Sequence, residues 1–141
     1  MADVGMHRTI PALPVRGMDV AVAFYGEKLG FEPLWQHDGF AVLRRDEAVL
    51  HLWEAGDEEW RRRKDLAEKP ICSGAESFIA GTASTRIEVV DVDALYAELA
   101  AAEVLHPVSR DGVAHTDFGT REFSTLDGDG NLISFFRWVA D

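Results

Sequence analysis

Residues 14–35 read PVRGMDVAVAFYGEKLGFEPLW. An apolar end, Pro14-Val15, enters a Gly17-Met18-Asp19 turn. The next stretch places Val20, Phe24 and Leu29 broadly on one helical face. Asp19 is the expected N-cap. Gly30 is the expected stop, because glycine takes up the left-handed conformation that ends many helices. Phe31 to Gln36, directly after that glycine, reads as a strand. On the other side, Thr9 to Val15 (TIPALPV) is short and apolar. Pro11 and Pro14 each remove a backbone donor, so this strand belongs at a sheet edge or in irregular pairing.

Moving outward, Phe40 to Arg44 and Ala48 to Glu54 read as further strands, with Asp38-Gly39 and Asp46-Glu47 as turns. The second half repeats the plan. Thr85 to Val90 is a strand, and DVDALYAELAAAEV is a helix capped by Asp91 or Asp93, with Leu95, Leu99 and Ala102 on its apolar side. Leu105 to Ser109, a loop from Asp111 to Gly119, and strands near Glu122 to Leu126 and Leu132 to Val139 complete it. The turn Asp127-Gly128-Asp129-Gly130-Asn131 joins the last two. The layout from Asp19 to Pro33 returns from Asp93 to Pro107, about 74 residues later. The expected fold is therefore α+β: two βαβββ modules, about 8–54 and 83–139, with curved mixed sheets, helices outside and a concave cup inside. Residues 55–82 join them, first highly charged (GDEEWRRRKDLAEKP) and then rich in small side chains (ICSGAESFIAGTAS). They read as a charged helix plus loop, or as a linker. Phe24, Phe31, Phe123 and Phe135 are expected in the core.

The chain has 141 residues, 47% of them hydrophobic, enough for one packed unit of this kind. Its formal net charge of −11 disfavours nucleic acid and anionic membranes and draws in cations, though acidity also serves solubility. The basic run Arg61 to Lys64 is flanked by Asp57, Glu58, Glu59 and Asp65 and reads as a solvated face. A single cysteine, Cys72, excludes an internal disulfide and a zinc-thiolate cluster. Ser73 and Ser77 have no nearby histidine to activate them, and DGDGN is neither a phosphate loop nor a complete calcium loop. Met1 to Arg8 lacks the apolar core of a signal peptide, and no apolar run approaches a membrane span, so the cytoplasm is the expected compartment.

Three segments together carry a family resemblance. Pro14 to Trp35 has a small-residue/Asp turn, then FY, then LGF. Asp38 to Trp53 (DGFAVLRRDEAVLHLW) follows as a hairpin, and Gly119 to Trp138 (GTREFSTLDGDGNLISFFRW) as a terminal one. In this order they resemble the glyoxalase/bleomycin-resistance/dioxygenase (vicinal oxygen chelate) superfamily, bleomycin-resistance type. Gly128 stands where proline is common. Enzymes of the superfamily hold a metal with His or Glu from four strands. The flanking motifs put Ile10 or Pro11, His51, Thr85 or Arg86, and Ser134 at those positions. Only His51 ligates a metal well, and Arg86 repels one, so the resemblance implies a non-catalytic binder with no metal and no cofactor.

For such a binder the resemblance implies a crevice that takes up a bleomycin-like cationic drug and sequesters it unmodified. The alternatives are a metal-dependent lyase or dioxygenase using His51, and a binder of some other planar molecule. Trp35, Phe40, His51 and Trp53 are the expected ring lining, His51 and Trp53 sharing a strand face. Phe118 is a stacking candidate on a loop, and Trp60 a candidate flap in the linker. Asp38, Asp117 and Glu122 are candidates to face the drug's cationic tail. The resemblance also implies a homodimer that exchanges the N-terminal strand and shares the crevice between subunits.

Overall fold

The computed structural model describes residues 2–56, 59, 62–70 and 79–139. Strand β1 (Ala12–Val15) leads into helix α1 (Met18–Leu29), and strands β2 (Glu32–His37), β3 (Phe40–Arg45) and β4 (Ala48–Glu54) follow. Strand β5 (Ser84–Glu88) leads into α2 (Val92–Ala101), then β6 (Ala114–His115), β7 (Thr120–Leu126) and β8 (Leu132–Trp138). The sheets are ordered β1-β4-β3-β2 and β5-β8-β7-β6. In each, the strand before the helix pairs in parallel with the last strand of its module, so the halves share one topology.

β1 lies at a sheet edge, as expected for a proline-bearing strand, but it begins at Ala12 rather than Thr9 and so holds only Pro14. Pro11 stays outside it, although its carbonyl accepts from the His51 amide. Gly30 ends α1 in the left-handed conformation (φ 76°), where a side chain would also press on the Arg45 guanidinium. The N-cap differs from expectation. It is Gly17, without a side-chain cap, and Asp19 sits in the first turn, accepting from Gln36 Nε2 at 2.7 Å. The buried stripe is Met18, Ala21, Tyr25 and Leu29, while Val20 faces solvent, so the apolar face lies beside the one the spacing suggests. In α2 the cap is Asp91, whose carboxylate accepts from the Ala94 amide at 3.0 Å. The two-residue strand β6 lies inside the expected loop from Asp111 to Gly119.

One face of each sheet packs on its helix. Leu13, Ala41, Leu43, Leu50 and Leu52 do so from the first sheet, and Phe123, Ile133 and Phe135 from the second. Phe31, Phe123 and Phe135 are buried as expected, whereas Phe24 is only half-buried. The DGDGN turn ties the modules together. Asp127 accepts from the Tyr25 hydroxyl (2.7 Å) and the Asn131 amide (2.8 Å), and Asp129 accepts from the Arg16 backbone (2.9 Å). Arg45 of β3 donates to Leu29 O at 2.9 Å and to both carboxylate oxygens of Glu98 in α2, at 2.6 and 2.8 Å. Within the linker, residues 62–70 form turns rather than a regular helix, with Lys69–Asp65 and Arg62–Glu59 ion pairs. Trp60, the candidate flap, lies outside the described residues, as do Cys72, Ser73 and Ser77. Among the described residues no helix is long and apolar enough to cross a membrane.

Candidate functional site

Strand alternation leaves the second face of each sheet without a helix, and both faces carry rings. In the first sheet, Phe40 pairs with Trp53, Val42 with both His51 and Trp35, and His37 with Phe40. This register sets Trp35, His37, Phe40, His51 and Trp53 side by side, opposite the buried leucines. Phe40 is the hub, its ring centre 4.6 Å from Trp53, 5.0 Å from His51 and 5.8 Å from Trp35. Trp35 and His37 stack, with centres 5.6 Å apart and planes 6° from parallel. Trp35 is 53% exposed, and Phe40, His51 and Trp53 are half-buried, so the rings form a packed wall with a wet outer side. Asp38 sits at the hairpin tip. There a cavity of about 570 Å³ is bordered by Arg16, His37, Asp38, Phe40, Trp53 and Glu54.

The second sheet is built differently. Its open face carries Arg86, Glu122, Phe136 and Trp138, with Phe118 on the loop before β7. The Arg86 guanidinium lies 4.8 Å from the Phe136 ring centre and 5.9 Å from that of Phe118. Glu122 holds it with both oxygens, at 2.6 and 3.3 Å, and also accepts from Thr120 Oγ1 at 3.0 Å. The hydrogen bond from Arg86 keeps the Glu122 carboxyl below the usual range. Partial burial opposes this, and the Thr120 hydrogen bond reinforces it. Phe118 (62% exposed) and Trp138 (56% exposed) stand open to solvent. A cavity of about 590 Å³ lies at the edge of this face, between Ile10 and Pro11 of the N-terminal arm, Val49 of β4, and Thr85, Arg86 and Glu88 of β5. A third cavity, of about 500 Å³, opens at Phe31, Arg45, Glu98 and Phe135 and includes none of the predicted site residues.

The expected residues thus fall into two groups. Trp35, Asp38, Phe40, His51 and Trp53 come together on the first sheet. Phe118 and Glu122 belong to the second, where the Glu122 carboxylate is already engaged by Arg86 and Thr120. Asp117 is exposed beside Phe118. His37, Phe136 and Trp138 join these groups although sequence reading passed them over. Two-residue alternation with Trp35 and Ser134 was the signal that marks them.

The strand register shows which residues neighbour His51 and Ser134, two of the positions that the resemblance assigns to metal ligands. In the strand register His51 lies opposite Ala12, while Ile10 and Pro11 border the cavity that Thr85 and Arg86 line. The residue opposite Ser134 is Arg86. Ile10 or Pro11, His51, Arg86 and Ser134 supply one imidazole and one guanidinium cation, a set that does not fit a divalent metal. Among the described residues no group of three or more His, Cys, Asp or Glu side chains is placed to hold a metal.

Comparison with known proteins bears on the family and the fold. The sequence model of the Glyoxalase/Bleomycin resistance protein/Dioxygenase superfamily matches residues 6–135. The bleomycin resistance protein of Geobacillus stearothermophilus is 47% identical over 134 residues, covering 95% of this chain and 98% of its own. That of Staphylococcus aureus matches to the same extent. Among solved structures, the bleomycin-binding protein of the bleomycin producer Streptomyces verticillus, complexed with copper(II)-bleomycin, superposes with a TM-score of 0.70 at 26% identity. The match covers 99% of this chain and 100% of that one. The bleomycin resistance determinant of transposon Tn5 shares the fold, with a TM-score of 0.64 at 20% identity over 94% of this chain and 98% of its own.

Proposed function

The chain belongs to the Glyoxalase/Bleomycin resistance protein/Dioxygenase superfamily, and from that premise we propose that it binds bleomycin-like cationic drugs and sequesters them unmodified. The observation that carries this reading is the ring wall of the first sheet. Trp35, His37, Phe40, His51 and Trp53 touch in series, expose one side, and end at a tip bearing Asp38 and Glu54. Stacking on such rings contributes about 0.5–1.5 kcal/mol per pair beyond burial, and a cation over a tryptophan about 0.5–2 kcal/mol. The net charge of −11 raises the local concentration of a cationic ligand at the surface. The relatives named as resistance proteins at 47% identity support the same ligand class.

Sequestration needs no catalytic group, which agrees with a strand quartet unfit for a metal. The open face of the second sheet, with Phe118 and Arg86, forms the other side of the crevice when two chains associate as a homodimer. The protein acts in the cytoplasm, before the drug reaches DNA. The test combines two readouts on one mixture: plasmid cleavage by activated bleomycin, and the mass of the drug recovered after denaturing the protein. Protection at a stoichiometric ratio with unchanged drug mass is expected. Absence of protection, or a drug altered in mass, would overturn the proposal.

A further inference from the structure

Resting on the drug-binding reading, we propose that Arg86 is a specificity-determining residue: its guanidinium is a flat cationic platform that accepts the ligand's planar rings and keeps the charged tail off that platform. Three features of the geometry support this. The guanidinium is pinned edge-on by both oxygens of Glu122, so its plane is held rather than free to swing. It lies 4.8 Å from the Phe136 ring centre and 5.9 Å from that of Phe118, so it forms part of an aromatic patch. The side chain remains 44% exposed and borders the cavity of about 590 Å³ at the sheet edge, so a ligand can reach it.

A guanidinium plane stacks well on neutral conjugated rings and poorly on another cation. The two open faces therefore offer different chemistry. The first gives electron-rich rings and the carboxylates Asp38 and Glu54, which suit a cation. The second gives a cation whose charge Glu122 offsets, and which suits a flat, uncharged ring system. Glu88 is the other charged side chain on this face of β5, two residues from Arg86, and it borders the same cavity. A cationic tail drawn to Glu88 is held beside Arg86 and not on the guanidinium plane, where like charge repels it. A ligand carrying planar rings at one end and a cation at the other is thereby oriented, rings toward Arg86 and tail away from it.

The experiment uses the full-length protein and two bleomycin congeners identical except for the charge of the terminal substituent, one cationic and one neutral. Affinities are measured by tryptophan fluorescence for wild type, Arg86→Lys and Arg86→Gln, with circular dichroism to establish that each variant is folded. Arg86→Lys keeps the charge but loses the plane, so both congeners should weaken together, about fivefold to tenfold, with their ratio unchanged. Arg86→Gln removes the cation and leaves Glu122 uncompensated, so the ratio should move about fivefold toward the cationic congener. Glu122→Gln, which unmasks the guanidinium charge, should move it the other way. Opposite shifts in these two variants cannot arise from general destabilisation. Wild-type affinity in Arg86→Lys, or an unchanged ratio in Arg86→Gln, would overturn the assignment and leave the drug-binding reading intact. Failure of the wild type to bind either congener would overturn both.

Discussion

The side-chain amide of Asn131 donates to the carbonyl oxygen of Pro14 at 2.8 Å, across 117 positions of sequence. The same side chain accepts from the Ala83 amide at 3.1 Å, and its nitrogen also reaches Asp127 at 2.8 Å. One fully buried asparagine thus anchors β1, the start of β5 and the last hairpin. β1 supplies the edge beside His51, so this anchor also holds the ring wall in place.

Replacing Asn131 with alanine removes the Ala83 amide's acceptor and leaves the Pro14 carbonyl only the long contact from the Gly81 amide, 3.5 Å. The expected loss is about 3 kcal/mol, read from urea unfolding as a lower midpoint at constant slope. Asn131→Asp keeps the size but sets a carboxylate against that of Asp127 and the Pro14 carbonyl, so it should cost at least as much.

Tyr25 gives a prediction in alkali. Burial pushes its phenol well above the ordinary value, and the neighbouring Asp127 carboxylate adds to the shift. A folded-state value above the unfolded one means that the stabilisation is complete below about pH 10 and is lost as pH rises through the folded value. In a spectrophotometric titration, one of the two tyrosines should stay protonated until the protein unfolds. Tyr25→Phe should remove that delayed component and lower stability at neutral pH by about 1–2 kcal/mol.

Arg45 and Glu98 contribute on the acid side. The hydrogen bond from Arg45 holds the Glu98 carboxyl below the ordinary glutamate range, against the opposing effect of partial burial. A depressed folded-state value contributes stability above the unfolded value, about 4.3, that disappears as pH falls through the folded one. Glu98→Gln should therefore flatten the stability profile below about pH 4.5. The pair is partly solvent-accessible, 31% for Arg45 and 48% for Glu98, so screening should keep its effect near neutrality modest.

Much of this was legible in the sequence because it rests on local rules. Gly30 ends a helix, the prolines of TIPALPV exclude a central strand, and Phe40, His51 and Trp53 alternate onto one face. Asp19 misled because its carboxylate is taken by Gln36 from the next strand, a partner that capping rules do not see. The strand expected from Thr9 begins only at Ala12, where the parallel pairing of β1 and β4 starts. Arg86 is the instructive case. Read alone, it is a charge that repels a metal. Its place as a ring-backed platform depends on Glu122, 36 positions away, and on Phe136 in a strand that pairs with its own.

Isothermal titration of the wild-type protein with metal-free bleomycin tests the central claim most directly. Saturable heat with a dissociation constant of about 1 μM or tighter is predicted, weakened about tenfold or more in Trp53→Ala, which removes a ring from the wall without touching the Asn131 anchor. No saturable heat up to about 100 μM drug, or equal affinity in the Trp53→Ala protein, would contradict the account.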